Sequence, residues 1–332
     1  MAVIGSKPAE PLLTHDYVED VEGRLYVIVG DEHPPNAYFA FLKYVPTSER
    51  TPWYRRGTHY ARVIKAYGAR NVFPASERVG ILRYDPVIGA EVPVLERDRI
   101  ARIYRGRARL NEILREASDE LEEAVCDVID ALSRVCGIWP GSVGVTGSLL
   151  PGIHSLEVSD IDVVVYGCRD SLLLAECVSD AFPAQPPRML ERRAVREATL
   201  YGLDPSSILA VMPPYKARLL GGRELNFVMA RERPRRYGRR VLTPLGVFEG
   251  VLEVEPGSCE ALMYPGEARV SNRVEVGGCR IVSVVTYENF FTYALYIGGE
   301  LRVSGVLERV DDGEECVVVV GSRENPGYVI RA

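Results

Sequence analysis

The segment Ser159-Asp160-Ile161-Asp162-Val163-Val164-Val165 constrains this chain more than any other. Residues i and i+2 of a strand point to one face, so Asp160 and Asp162 project together. The apolar run from Val163 to Tyr166 marks the rest of that strand as buried. Two adjacent carboxylates at the edge of a core repel each other and resist burial unless something compensates them. A divalent cation does so, and Mg²⁺ binds through one or two protein carboxylates while keeping water and phosphate oxygens in its remaining positions. Upstream, Val143 to Thr146 reads as a second strand, closed by the tight turn Gly147-Ser148.

The surrounding pattern is mixed. Residues 96–136 read as helix with an interruption at Gly106, because Ile113, Leu114, Leu121, Val125, Val128, Ile129 and Leu132 recur at helical spacing. Gly137 and Pro140 end it. Ser171 to Ala181 and Arg188 to Tyr201 read as helices, separated by Pro183, Pro186 and Pro187. Tyr215 to Leu220 and Leu225 to Ala230 read as a hairpin across Gly221-Gly222.

Val145-Thr146-Gly147-Ser148, a gap of eleven residues before Asp160, and Asp160-Ile161-Asp162-Val163 together resemble the signature of the DNA polymerase beta-like nucleotidyltransferase superfamily. The resemblance spans roughly residues 110 to 230. It implies a central mixed sheet flanked by helices, a Gly147-Ser148 turn that holds a nucleoside triphosphate, and Asp160 and Asp162 as ligands of Mg²⁺ (or Mn²⁺). It further implies a third carboxylate on a later strand that helps to activate the attacking hydroxyl. Here that strand is Leu225 to Met229, and Asn226 stands about where the acid belongs. Asn offers a metal a carbonyl oxygen but takes no proton as a carboxylate does. Glu224, two positions earlier, shares the face of Asn226 and is the substitute candidate. The loop after Ser148 also departs from the pattern, carrying Leu149-Leu150-Pro151-Gly152-Ile153-His154 where relatives often place a basic residue. His154 reads there as a loop residue, with a phosphate contact as the alternative.

The flanks read as β-rich, so the chain divides into residues 1–95, an α/β part at 96–240, and a small barrel or sandwich at 241–332, an α+β class overall. In the first part, strands fall at 23–30 and 38–45, a short helix near His59 to Tyr67, and a connection at Ile81 to Val94. In the last, Val247 to Val254, Arg280 to Thr286, Phe290 to Ile297, Leu301 to Val310 and Cys316 to Gly321 read as strands.

Charge is uneven, with seven basic and fourteen acidic side chains in residues 241–332 against near balance before them. Any nucleic-acid surface must therefore be local to the middle part. Arg231 to Arg240 concentrates six Arg with Tyr237 directly after the candidate third strand. Arg forks suit phosphates, so Arg231 and Arg233 are candidates for the triphosphate tail, and the whole run for RNA. The alternative is a solvated linker. The second arginine cluster, Arg97 to Arg109, is interleaved with Glu96 and Asp98 and reads as a solvated helix face.

No run of eighteen apolar residues exists and Met1 to Pro8 lacks the apolar core of a leader, which predicts a cytoplasmic protein without membrane spans. Seven Cys without C-x-x-C spacing predict buried thiols rather than zinc or a disulfide framework; a hyperthermophilic source would admit one bridge. Only four of the 40 basic residues are Lys (7, 43, 65 and 216), a bias that fits a GC-rich genome or a thermophile. His15 with Asp16 reads as a turn. P-loop, nucleophile-elbow and H-E-x-x-H patterns are missing.

The expected function is Mg²⁺-dependent transfer of a nucleoside monophosphate from a triphosphate to a hydroxyl, with pyrophosphate released. Base preference, acceptor and oligomeric state are not written in the sequence. A second reading, prompted by Asn226, is a catalytically impaired nucleotide- or RNA-binding module that keeps the fold. A third takes Asp160 and Asp162 as an ordinary strand end.

Overall fold

The computed structural model describes residues 11–64 and 66–332; Met1 to Pro8, read above for a leader, and Lys65 lie outside the described residues. The fold is α+β, built on three sheets. No helix among the described residues is long and apolar enough to cross a membrane.

The first sheet uses β1 (Tyr17–Asp20), β2 (Leu25–Ile28), β3 (Ala37–Thr47), β4 (Tyr54–Arg55) and β5 (Thr58–Arg62). After α1 (Ala69–Arg78) come β6 (Leu82–Asp85), β7 (Ala90–Glu96) and β8 (Ile100–Tyr104). The order is β4-β5-β3-β2-β1-β8, with the β6–β7 hairpin joined to the start of β3. Three expectations change here. Residues 58–62 are strand rather than helix, and the helix starts at Ala69. The stretch expected to be a connection is the β6–β7 hairpin. Residues 100–104 leave the helical reading of 96–136 and close the sheet edge against β1, so this sheet extends past residue 95.

The second sheet lies between α2 (Gly106–Arg115), α3 (Glu120–Cys136), β9 (Val143–Val145), β10 (Ile161–Tyr166), α4 (Cys168–Ala181), α5 (Pro187–Tyr201), α6 (Pro205–Ala210), β11 (Arg218–Leu220) and β12 (Arg223–Ala230). Its order is β11-β12-β10-β9, with β10 and β12 parallel and the other pairs antiparallel. Sequence explains α3 locally. Asp119 caps it by accepting from the N–H groups of Leu121 and Glu122, three Glu occupy its first turn, and Gly137 ends it at φ 65°. Its stripe Leu121, Val125, Val128, Ile129 and Leu132 packs on Ile161, Val163, Val165, Leu225 and Phe227 in one core. That core takes one face of β10 and β12, which leaves Asp160, Asp162, Glu224 and Asn226 on the other.

The third sheet comprises β13 (Leu242–Val254), α7 (Cys259–Leu262), β14 (Gly266–Arg269), β15 (Glu275–Val276), β16 (Cys279–Thr286), α8 (Thr292–Ile297), β17 (Gly299–Val310), β18 (Glu315–Val320) and β19 (Tyr328–Arg331). Its path is β13-β17-β18-β16-β14, with β15 on β16 and β19 on β17. Residues 292–297, expected as strand, form α8, whose Ala294 and Leu295 enter the core with α5 and α6.

The cysteines correct the sequence reading. Three disulfides form: Cys136–Cys177 joins α3 to α4, Cys168–Cys259 joins the second sheet's layer to α7, and Cys279–Cys316 joins β16 to β18. Cys126 alone is free. The partners are 41, 91 and 37 residues apart, so spacing along the chain carries no trace of them. We predict one reactive thiol per oxidised, denatured chain and seven after reduction. Each bridge contributes about 2–4 kcal/mol, so reduction should lower the melting temperature by many degrees in calorimetry.

Candidate active site

Register places the site. In the parallel β10–β12 pair, Asp162 stands opposite Asn226 and Ile161 opposite Leu225. Glu224 and Asn226 are both half-buried on the face of Asp162, and Asp160 opens on the same side. From the other neighbour, β9 pairs Val145 with Val163 and hands the chain to Gly147 beside Asp162. The Thr146 N–H donates to the Asp162 carbonyl at 3.0 Å.

Gly147 has φ 65°, and a Cβ built there would lie 3.1 Å from Asp162 Cβ and Cγ and in overlap with Oδ2. Only glycine permits both the conformation and the approach. The Ser148 hydroxyl donates to Ser159 Oγ at 3.0 Å, and Ser159 Oγ accepts from the Ser155 N–H. The turn is thus tied to the residue preceding Asp160. Among the described residues, the N–H groups of Gly147 and Ser148 donate to no protein acceptor.

The carboxylates carry strain of the electrostatic kind. Burial in the cleft, then Asp162 and Glu224, push the Asp160 carboxyl up to about 7. Four cations from four parts of the chain face the acids. Lys43 of β3 is 3 % exposed, donates to the Tyr17 hydroxyl at 2.7 Å, and lies 5.0–5.5 Å from the ring centroids of Tyr17, Tyr44 and Tyr67. Burial lowers its pKa, while Asp162 and Asp160 pull the other way. Lys216, before β11, is lowered to about 8 by burial and by Arg193. Arg193 of α5 donates to Asn226 Oδ1 at 3.1 Å, donates to the Lys216 carbonyl, and pairs with Glu224 at 3.9 Å. Arg62 of β5 completes the set. His15 is held neutral, its pKa near 3, by burial and then by Lys216 and Lys43.

All these groups line one cavity of about 690 Å³ where the three sheets meet. Gly147, Ser148, Asp160, Asp162, Glu224 and Asn226 therefore come together as the sequence suggests. Asn226 already has a partner in Arg193.

Arg231 and Arg233 do not join them. Arg231 is buried and pairs with Asp31 at 3.3 Å and with Glu260; Arg233 is exposed, and neither lines the cavity. Arg235 pairs with Asp31 and Glu32 at 2.9 and 3.0 Å, Arg239 with Glu32, and Arg240 with Glu267 at 2.7 Å. The Tyr237 hydroxyl donates to Asp85. Three of the six arginines, read above as a phosphate groove, clamp the first and third sheets' layers together through carboxylates, and Arg240 pairs with the third alone. His154 faces Asp119 at 2.7 Å, away from any phosphate role. With Glu122 these two form a cluster whose ligand atoms lie within 4.8 Å. Its oxygens are engaged in capping α3, in binding Ser118 and in pairing with Arg109. His15 and Asp16 occupy a turn, as expected.

The sequence reading missed Lys43, Lys216, Arg62 and Arg193. One signal for two of them was present. In a chain with four Lys, each Lys marks a place where Arg was not used, and both described lysines line this cavity.

No family model matches the chain, and no solved structure does. The curated comparison shows 31% identity over 176 residues with an uncharacterised protein of Methanocaldococcus jannaschii. The match covers 50% of this chain, and the chain spans about half (51%) of that relative.

Two predictions follow from the geometry. Gly147→Ala should displace Asp162 and cut divalent-cation affinity at least tenfold in calorimetric titration with Mn²⁺, while Gly152→Ala, strained by a similar φ of 67° but with open space for its Cβ, should leave that affinity alone. The second concerns pH. Burial raises Glu288 to about 7 and Glu308 to about 8, so the fold holds protons there that the unfolded chain loses near 4.5. The native state then binds more protons than the unfolded one, and stability falls as pH rises from about 5 to 8, by up to about 1.4 kcal/mol per pH unit for each group. Urea unfolding across that range should show a flatter profile for Glu308→Gln.

Proposed function

We propose that this protein is a nucleotidyltransferase that moves a nucleoside monophosphate from a nucleoside triphosphate to a hydroxyl acceptor, using Mg²⁺ (or Mn²⁺). The observation that carries the reading is Gly147 pressed on Asp162, with Asp160 beside it and Glu224 on the neighbouring parallel strand. Two carboxylates on one strand face, one of them raised to about 7 by burial and by its acidic neighbours, fit a hard divalent cation with oxygen ligands. Asp160 and Asp162 would hold it. When bound, the cation supplies charge neutralisation at phosphate oxygens.

This chain's own groups account for the rest. The free N–H groups of Gly147 and Ser148 form a nest for phosphate oxygens. Lys43, Arg62 and Lys216 border the same space and match the charge of a triphosphate tail. The acceptor oxygen bonds to the α-phosphorus as the bond from that phosphorus to pyrophosphate breaks. Glu224 is the carboxylate in position to take the hydroxyl proton.

A second reading is nucleotide binding without turnover. Asn226 favours it, because Asn226 occupies the register position opposite Asp162 and Arg193 holds both Asn226 and Glu224. Binding and turnover separate the two. Titration with each nucleoside triphosphate analogue, with and without Mg²⁺, should give cation-dependent binding of at least one. Pyrophosphate release with an acceptor should then be lost in Asp160→Ala, by at least about a thousandfold if the site's electrostatic stabilisation goes with it. Lys43→Met should weaken triphosphate binding about tenfold or more and leave diphosphate binding less affected. Turnover by Asp160→Ala at the wild-type rate would sink the proposal, and cation-dependent binding with no turnover in the wild type selects the second reading.

A further inference from the structure

The cavity has a second end. Besides the Asp pair, Val285, Tyr287, Glu308 and Val319 of the third sheet and its connections line it. Glu308, on β17, is 2 % exposed. Neither of its carboxyl oxygens has a hydrogen-bond or ion-pair partner among the described residues. A buried carboxyl left unpaired is costly, and nearly all buried polar groups are satisfied. Leu242, Val285 and Val319 form an apolar cluster on this face of the sheet, Val87 and Ile88 line the same cavity, and the charges of Glu324 and Arg240 also act on Glu308.

The arginines at this end are already paired. Arg323 lies at its rim and pairs with Glu77 at 3.0 Å and with Glu91, joining α1 and β7 to the third sheet. The nearby guanidiniums of Arg235 and Arg240 are taken by Asp31, Glu32 and Glu267. A nucleic-acid chain is held mainly by accessible Lys and Arg on its phosphates, and here these groups are spent on protein carboxylates.

We propose that this end of the cavity is the acceptor site, and that the acceptor is a small molecule with an apolar body and a hydrogen-bond-donating head, a hydroxyl or amine, which binds Glu308. The inference rests on the nucleotidyl-transfer reading and adds the class of the second substrate. A separate hydroxyl of that molecule reaches the α-phosphate end. Its oxygen bonds to phosphorus, pyrophosphate leaves, and its proton passes to Glu224. Glu308 touches only the distal head, so it governs acceptor binding and not the donor.

The test uses the full oxidised chain with Mg²⁺ and each nucleoside triphosphate labelled at the α-phosphate. Three acceptor pools are offered: total RNA, denatured casein, and a metabolite extract freed of protein and nucleic acid by ultrafiltration. The expected result is label in a new low-mass product that appears only with the extract. Glu308→Leu should raise the KM for the extract's acceptor at least about tenfold, the loss of one hydrogen bond to a buried carboxyl, with triphosphate affinity unchanged by calorimetry. Glu308→Gln keeps the shape and an acceptor oxygen and should recover part of that loss. Melting curves of both variants report folding. Label on RNA or casein, no labelled product from protein that binds the triphosphate, or a wild-type KM in a folded Glu308→Leu overturns the acceptor assignment and leaves the nucleotide site standing. Absence of cation-dependent triphosphate binding overturns both.

Discussion

The Cα of Gly147 lies so close to the Asp162 carboxylate that no side chain fits between them, and a large part of the architecture serves to hold that approach. β9 runs antiparallel to β10 with Val145 on Val163, so the chain leaves β9 directly beside Asp162. The turn then needs a positive φ, which glycine accepts at no steric cost. Ser148 and Ser159 fasten the turn to the start of the Asp strand. Behind the strand, α3 and α4 fill the opposite face with Leu, Val and Ile, which fixes which way the acids point. A one-residue slip between β10 and β12 would bury Asp162 and expose Val163, so the hydrophobic face itself specifies the register.

Charge balance links this centre to both flanks. Three acids from the second sheet face Lys43 and Arg62 from the first and Lys216 and Arg193 from the second. None of these cations is a simple partner of Asp160, whose carboxyl stays raised despite them. Desolvation outweighs the attraction of cations held at a distance. An ion or substrate that touches the acids directly would reverse that balance, which is why the arrangement suits a site and not a structural ion pair.

How far the site was legible follows from the range of the interactions involved. Asp160, Asp162 and Gly147 announce themselves because strand periodicity and glycine turns are local properties. The strands at Ile161 to Tyr166 and Leu225 to Ala230 stand where the sequence puts them for the same reason. The arginine run misled, because the partners of Arg231 and Arg235 are Asp31 and Glu32, some two hundred positions away, and composition within a window contains no sign of them. The disulfides escaped likewise. Residues 292–297 failed differently. Nearly every side chain in Phe290 to Ile297 is apolar or aromatic, so periodicity does not separate helix from strand. At 96–104 the helical pattern of Ile113 to Leu132 was extended too far upstream, over a strand whose mostly exposed face gives no strong alternation.

Lys43 shows why the first sheet belongs to the candidate site. Lys43 sits among Tyr17, Tyr44 and Tyr67 with its ammonium over three rings, a space for a compact cation on a narrow stem. A guanidinium is planar and wide, with five donors to satisfy, and would need partners that those rings do not offer. In a chain that otherwise uses Arg almost throughout, the choice of Lys there is a steric requirement of the first sheet's packing. Its position is then set by β3, by the tyrosines of β1 and β3, and by the clamp of Arg235 on Asp31 and Glu32 that fixes this sheet against the rest. The Cys168–Cys259 bridge and the Glu288 carboxyl, which accepts from the Ala69 N–H and the Tyr201 hydroxyl, do the same for the third sheet. Loosening either junction would move a charged group relative to Asp162 without touching the Asp strand itself.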